Sequence, residues 1–208
     1  SPSVVYAGHD EVGIDERTPY PTRYLCEYPR TKALAERLVL AANGPTLATV
    51  ALRPHLIWGP GDQHLLPRLV ERARAGRLRR VGAGRNRVDT TYIDNAVAAQ
   101  LNAFDRLAPN APCAGKAYFI ANDQPVPLWE LIDRLLAVAG EPPVRRSISA
   151  AGAYVIGALL EGVYRLTGRR DEPPMTRFVA RQLSTEHWYD PSAARRDLGY
   201  APTVTVEA

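Results

Sequence analysis

The order of apolar and polar positions switches between a helical period and short strand-like runs. Residues 28–43, Tyr-Pro-Arg-Thr-Lys-Ala-Leu-Ala-Glu-Arg-Leu-Val-Leu-Ala-Ala-Asn, predict a helix rich in strong helix formers. Pro29 is tolerated in its first turn, and Gly44-Pro45 stops it. Thr46 to Leu52 predicts a buried strand, followed by Arg53-Pro54 and a turn at Gly59-Pro60-Gly61. A helix is expected over Leu65 to Ala75. Short strands are expected at Leu78 to Val81 and Val88 to Ile93, around a Gly82-Ala83-Gly84 turn. Asp94 predicts an N-cap for a helix running to about Leu107, with Val97, Leu101, Phe104 and Leu107 on one apolar face.

Further along, Ala117 to Ala121 reads as a strand. Pro127 to Ala139, Ala150 to Leu166 and Met175 to Leu183 read as helices. Asp190-Pro191 caps a last short helix ending at Leu198-Gly199. The opening Ser1-Pro-Ser-Val-Val-Tyr6 reads as the end of an extended apolar segment, and residues 7–27, with Gly8, Gly13, Pro19 and Pro21, as a loop. Strands alternate with helices over the first hundred residues, and the remainder is mainly helical. That order argues for a parallel sheet with helical crossovers.

Composition narrows the function classes. The chain has 208 residues, 46% of them hydrophobic, with 15 Gly and 18 Pro, which excludes a disordered tail, collagen and a disulfide scaffold. No apolar run approaches the ~18 residues of a spanning helix, and no basic-then-apolar leader points to secretion. Cys26 and Cys113 are far apart with no C-x-x-C spacing, which reads as two reduced thiols in a cytoplasmic protein. The four histidines, His9, His55, His64 and His187, are scattered and predict no metal site. Net charge is a mild +4, and lysine occurs only at Lys32 and Lys116. Eight arginines lie between Arg68 and Arg87, interrupted by Glu71 and without interleaved aromatics. They read as a solvated face rather than a nucleic-acid surface. One of them is a candidate for a substrate carboxylate. The apolar stretch Ala150 to Leu166 lacks a cationic polar face, so it reads as a helix of a substrate domain lining a tunnel for alkyl chains.

The sharpest chemistry is Tyr28-x-x-x-Lys32 near the start of a helix. Residues four apart share a helical face, so phenol and ammonium point into one site. A free phenol titrates near ~10 and is a poor proton shuttle at neutral pH. A nearby cation favours the phenolate and brings it toward the working range. Such a tyrosine can hand a proton to a carbonyl oxygen as hydride reaches the carbon, while a serine hydroxyl holds that oxygen. Ser1 and Ser3 are the candidates. The alternative is an ordinary surface pair, because ten tyrosines beside two lysines produce such spacings by chance.

The surrounding segments favour the catalytic reading. Ser1-Pro-Ser-Val-Val-Tyr6, Tyr28-Pro-Arg-Thr-Lys32-Ala-x-Ala-Glu36, Ala51-Leu-Arg-Pro-His-Leu-Ile-Trp-Gly-Pro-Gly-Asp62, Val88-Asp-Thr-Thr-Tyr-Ile-Asp-Asn95 and Asp197-Leu-Gly-Tyr-x-Pro202 occur in that order. Together they resemble the extended short-chain dehydrogenase/reductases, in the 3β-hydroxysteroid dehydrogenase-like branch. Leu56 to Pro67, Ala114 to Ile120 and His187-Trp-Tyr189 are similar to the branch's reductases of 2-alkyl-3-ketoalkanoic acids in bacterial long-chain olefin formation.

The resemblance implies the C-terminal half of a Rossmann-type doubly wound parallel sheet plus a smaller, mostly helical substrate domain. Residues 1–53 and 79–107 would belong to the dinucleotide-binding part, and 54–78 and 108–208 mostly to the substrate part, intermixed. It implies Tyr28 as general acid/base, Lys32 as the ligand of the nicotinamide ribose, and Ser1 as the carbonyl-holding serine, with Ser3 the alternative. Pro54, His55 and Leu56 match the segment whose backbone commonly meets the nicotinamide carboxamide; for the His55 side chain, a packed or solvated loop histidine stands beside a direct role in substrate binding. The implied cofactor is NADP or NAD, with NADPH favoured. The implied partners are a long-chain keto acid, a second copy in a homodimer, and other enzymes of the same pathway. Sterol dehydrogenases and nucleotide-sugar epimerases or dehydratases use the same constellation and are alternatives, as is a non-catalytic binding module. No G-x-G-x-x-G occurs in the 208 residues. The chain therefore reads as an internal piece of a longer enzyme, by itself inactive and a weak binder of dinucleotide.

Overall fold

The computed structural model describes residues 1–169 and 171–206. After a 3-10 turn at Pro2–Val4 come β1 (Glu11–Ile14), α1 (Glu27–Ala41), β2 (Val50–Pro54), β3 (Ile57–Trp58) and α2 (Leu65–Arg74). There follow β4 (Arg80–Val81), β5 (Arg87–Val88), β6 (Thr91–Tyr92), α3 (Ile93–Arg106), β7 (Lys116–Ile120), β8 (Val126–Pro127) and α4 (Leu128–Val138). The chain continues through β9 (Ser147–Ile148), α5 (Ala150–Leu166), α6 (Arg177–Gln182), β10 (His187–Tyr189) and α7 (Ser192–Leu198).

β2 and β7 pair in parallel over their whole length, Val50 opposite Lys116 through Pro54 opposite Ile120. Side chains alternate across a strand, so the ladder has two faces. On one, Phe119 packs with Ala33 of α1 and with Val4, Val5 and Tyr189. On the other, Tyr118 and Ile120 pack with Ala99 and Ala103 of α3 and Ala194 and Leu198 of α7, against Val50 and Leu52. Helices cover both faces of a parallel ladder, which is the doubly wound Rossmann-type arrangement. A second sheet runs β1-β10-β5-β8, with β1, β10 and β5 parallel and β8 antiparallel. A third cluster surrounds α4, where Leu128, Trp129, Ile132 and Leu136 pack with Val81, Val88, Ala153 and Ala180.

Several expectations change. Ser1 to Tyr6 is not extended: Val4, Val5 and Tyr6 donate to the carbonyls of Ser1, Pro2 and Ser3 in a tight turn, with Pro2 supplying the helical φ. The loop expected over 7–27 contains β1, paired with a strand far downstream. β2 begins at Val50 rather than Thr46, because Gly44 and Leu47 bond to each other in a turn. Val88 to Ile93 divides into β5, β6 and the start of α3. The N-cap of α3 is Tyr92, not Asp94; Asn122 Oδ1 accepts the Tyr92 amide at 3.0 Å and fixes that entry. The inner face of α3 is Asn95, Ala96, Ala99 and Ala103, while Val97, Leu101 and Phe104 are exposed. α5 forms with the expected bounds, but Val155, Leu159 and Leu166 on it are exposed instead of enclosing a tunnel. Within the stretch 108–208, β7 belongs to the central ladder, and Arg170, Glu207 and Ala208 lie outside the described residues. Among the described residues, no helix is long and apolar enough to cross a membrane.

Candidate active site

α1 sets the site. Pro29, Ala33 and Glu36 are its buried positions and turn toward β2 and β7. Tyr28 and Lys32 each precede a buried residue by one position, so they lie together on the adjoining, solvent-facing side. The Tyr28 ring is half-exposed, and its hydroxyl donates to Ser1 Oγ over 3.4 Å. Ser1 Oγ in turn lies 2.8 Å from Ser3 Oγ. Phenol and two serine hydroxyls thus form one chain, with Ser1 next to the tyrosine and Ser3 behind it. The 3.4 Å contact is long for O–H···O, which in a ligand-free structure does not exclude a proton-transfer pair. Phe178 of α6 flanks the phenol, its ring centroid 6.5 Å from that of Tyr28.

Pro54 ends β2, and His55 and Leu56 leave the sheet at the carboxyl end of the strand, the side of a doubly wound sheet on which ligands bind. Leu56 has φ +41°, in the left-handed region that side chains with a Cβ rarely adopt. His55 is buried, edge-on to His187 at 5.8 Å and to Tyr189 at 5.4 Å. Burial, reinforced by His187, pushes its pKa well below the ordinary histidine value, so the ring is neutral. Its Nε2 is buried without a hydrogen-bond partner. The packed-histidine reading of its side chain therefore fits, while its backbone faces the strand end.

Sequence reasoning missed a buried polar layer beneath this surface. The second sheet aligns Glu11 with His187 and His187 with Val88. Tyr189 donates to Glu11 Oε2 at 3.1 Å, and Thr185 Oγ1 lies 2.7 Å from both Tyr6 Oη and His187 Nε2. Burial raises the Glu11 carboxyl to about 7 against that hydrogen bond and lowers His187 to about 4. It also missed the ion pair of Arg53 with Glu36, whose carboxylate additionally accepts the Tyr20 hydroxyl at 2.6 Å. Burial alone would raise Glu36, but the hydrogen bonds from Arg53 and Tyr20 outweigh it and hold the group below its ordinary value. Glu36, Arg53, His187 and Tyr189 all sit inside recognised segments, so their signal was present. What was absent was any indication of which residues they meet.

A cavity of about 720 Å³ opens beside this ion pair, lined in part by Tyr20, Arg53, Lys116, Tyr118 and Asp197. A second, of about 500 Å³, is lined mainly by Trp58, Leu65, Leu66, Tyr92, Leu135 and Val138. Tyr28 and Lys32 line neither; they stand on an open face.

Comparison with known proteins identifies the family. Residues 1–147 match the 3-beta hydroxysteroid dehydrogenase/isomerase family. A 2-alkyl-3-oxoalkanoate reductase of Stenotrophomonas maltophilia (strain K279a) is 57% identical over 210 residues, covering 100% of this chain and 63% of that protein. A 2-alkyl-3-oxoalkanoate reductase of Shewanella oneidensis is 49% identical over 215 residues, covering 100% of this chain and 56% of that protein. The chain thus spans roughly three-fifths of the length of these curated relatives. Among solved structures, UDP-glucuronic acid 4-epimerase from Bacillus cereus in complex with NAD superposes with a TM-score of 0.66 at 19% identity, covering 98% of this chain and 55% of that one. At that identity the likeness establishes the fold.

Proposed function

This chain belongs to the 3-beta hydroxysteroid dehydrogenase/isomerase family, and from that premise we propose that it carries the catalytic half of a nicotinamide-dependent reductase of 2-alkyl-3-oxoalkanoates with long alkyl chains. The observation that carries the reading is the contact of the Tyr28 hydroxyl with Ser1 Oγ, with Lys32 one helical turn along on the same side. The names of the two reductases support the substrate class.

The residues present fit a nicotinamide riboside. Lys32 is exposed and offers three donors to ribose hydroxyls beside the phenol. The Pro54–Leu56 backbone stands at the carboxyl end of β2, where a carboxamide would meet it. NADPH is the proposed form; when bound, it supplies the hydride. Tyr28 gives its proton to the ketone oxygen, and Ser1, backed by Ser3, holds that oxygen in line. Residues 1–53 and 79–107, joined by β7, make the dinucleotide side; 54–78 and most of 108–208 make the substrate side. Cys26 and Cys113 are both free thiols, which supports a reducing, cytoplasmic setting.

The test is NADPH oxidation by the intact protein with a 2-alkyl-3-oxo acid. Tyr28→Phe is expected to lower kcat/KM by about 10²–10⁴-fold, the usual range for a general acid, without preventing cofactor binding. Retention of turnover within a fewfold would overturn the assignment.

A further inference from the structure

We propose that Thr91 is a positioning residue that locks the Pro54–Leu56 backbone into its cofactor-facing conformation. The proposal rests on the reading of that segment given above and adds a residue that contacts neither substrate nor cofactor.

Thr91 lies in β6 and is fully buried. Its hydroxyl sits 2.9 Å from the carbonyl of His55 and 2.9 Å from the carbonyl of Ile120. A hydroxyl has one hydrogen, so it is shared between the carbonyl of the first residue past β2 and the last carbonyl of β7. The Thr91 amide donates to the Leu56 carbonyl at 3.3 Å, and the His55 amide donates to the Ile120 carbonyl at 3.3 Å. Beyond that point β3 pairs with β6, Ile57 opposite Thr91. One threonine therefore meets the segment on both sides of Leu56.

That residue needs such restraint. With φ at +41°, Leu56 occupies a conformation that persists only where the surroundings impose it. The flanks are fixed as well. The His55 ring is wedged against His187 and Tyr189. At Gly59, a Cβ would come within 2.6 Å of Ile93 Cγ2, so the following turn is pressed onto the start of α3. The Leu56 side chain packs on the cluster around α4, and the carbonyls on either side of its Cα are both held by Thr91.

Removing the hydroxyl lets Leu56 relax toward an ordinary φ, leaving only a fraction of molecules competent to receive the carboxamide. Apparent affinity falls in proportion to that fraction. The probe is NADPH, titrated by fluorescence into the intact protein. Thr91→Val, which keeps the shape, is expected to raise Kd and the cofactor KM about tenfold, as for a competent fraction near one-tenth, with kcat at saturating NADPH within about twofold of wild type. Thr91→Ser, which keeps the hydroxyl, is expected to restore the wild-type Kd. Hydrogen exchange in the cofactor-free Val variant should quicken at residues 55–57 and not along the rest of β2. Should Thr91→Val fail to fold, Thr91→Ala removes the same group and takes its place.

An unchanged Kd in a folded variant of lower Tm would overturn the proposal, leaving Thr91 merely structural. A Ser variant as weak as the Val variant would overturn it too, since the methyl group would then matter instead. If wild-type protein bound no NADPH at all, the functional reading would fail first. If wild type binds and Tyr28→Phe is inactive, that reading stands whatever Thr91 does.

Discussion

Arg53 grips Glu36 through two hydrogen bonds, Nε to Oε2 at 3.0 Å and Nη2 to Oε1 at 2.7 Å, with both side chains almost fully buried between β2 and α1. Glu36 lies two helical turns beyond Tyr28, and Arg53 lies two residues before His55. The pair therefore ties the helix carrying the proposed acid to the strand carrying the proposed cofactor contact.

Breaking this pair from one side should be severe. Glu36→Ala leaves a buried guanidinium, one of whose nitrogens, Nη1, already lacks a partner. The expected loss of stability in urea denaturation is about 3–5 kcal/mol. Replacing both residues together, Glu36→Leu with Arg53→Met, should recover most of that loss, because two charges no longer need solvation. The double variant should still lose activity, since the orientation of α1 on β2 changes. Additive losses in the double variant would show that the two residues act independently.

How far the sequence reveals this molecule depends on the range of the interaction. α1 was legible because its helix formers, Pro29 and the Gly44-Pro45 stop are all local. The Tyr28–Lys32 pairing was legible for the same reason, since helical spacing alone brings the two together. β1 was not: Glu-Val-Gly-Ile is charged, short and interrupted by glycine, and its partner β10 is more than 170 residues away. On α3, apolar size pointed to Val97, Leu101 and Phe104, yet alanines are buried there. The helix approaches the ladder closely enough that small side chains decide the inner face. The layer of Glu11, His187 and Tyr189 follows from strand pairing across the whole chain, which no local pattern encodes.

Glu11 makes folding stability depend on pH in a defined direction. Its carboxyl is raised from the ordinary 4.5 to about 7 by burial, partly offset by the Tyr189 hydrogen bond. Between these values the folded protein keeps a proton that the unfolded chain has released. This group's contribution therefore falls as pH rises through that window and is level above it. Asp89, raised by burial to about 7, acts in the same sense, and His187, lowered by burial to about 4, in the opposite one between pH 4 and 6.5. Glu11→Gln isolates the first effect, because the amide still accepts the Tyr189 hydroxyl. Its stability should match wild type near pH 4 and exceed it by about 3 kcal/mol at pH 8. A constant difference across that range, in denaturation curves at several pH values, would rule out a raised Glu11.

Two glycines of α5 should respond in opposite ways to alanine, and one should carry its effect to the site. At Gly157 an added Cβ would stand 2.6 Å from the carbonyl carbon of Thr176 and 2.7 Å from the amide nitrogen of Arg177. That backbone cannot yield freely. Thr176 Oγ1 caps α6 by accepting the Val179 amide at 3.1 Å, and Glu161 of α5 accepts the Arg177 amide and Nε, each at 2.7 Å. Gly157→Ala must therefore push α6 away, at a cost of about 1–3 kcal/mol. Gly162 has nothing within 4 Å of an added Cβ, so Gly162→Ala should gain about 0.5–1 kcal/mol by restricting the unfolded chain. Phe178, next after Arg177, packs on Tyr28. Displacing α6 moves that ring, so Gly157→Ala should also lower kcat/KM, whereas Gly162→Ala should leave it unchanged. Equal activities in the two variants, measured well below their Tm values, would separate the α5–α6 crossing from the placement of the phenol.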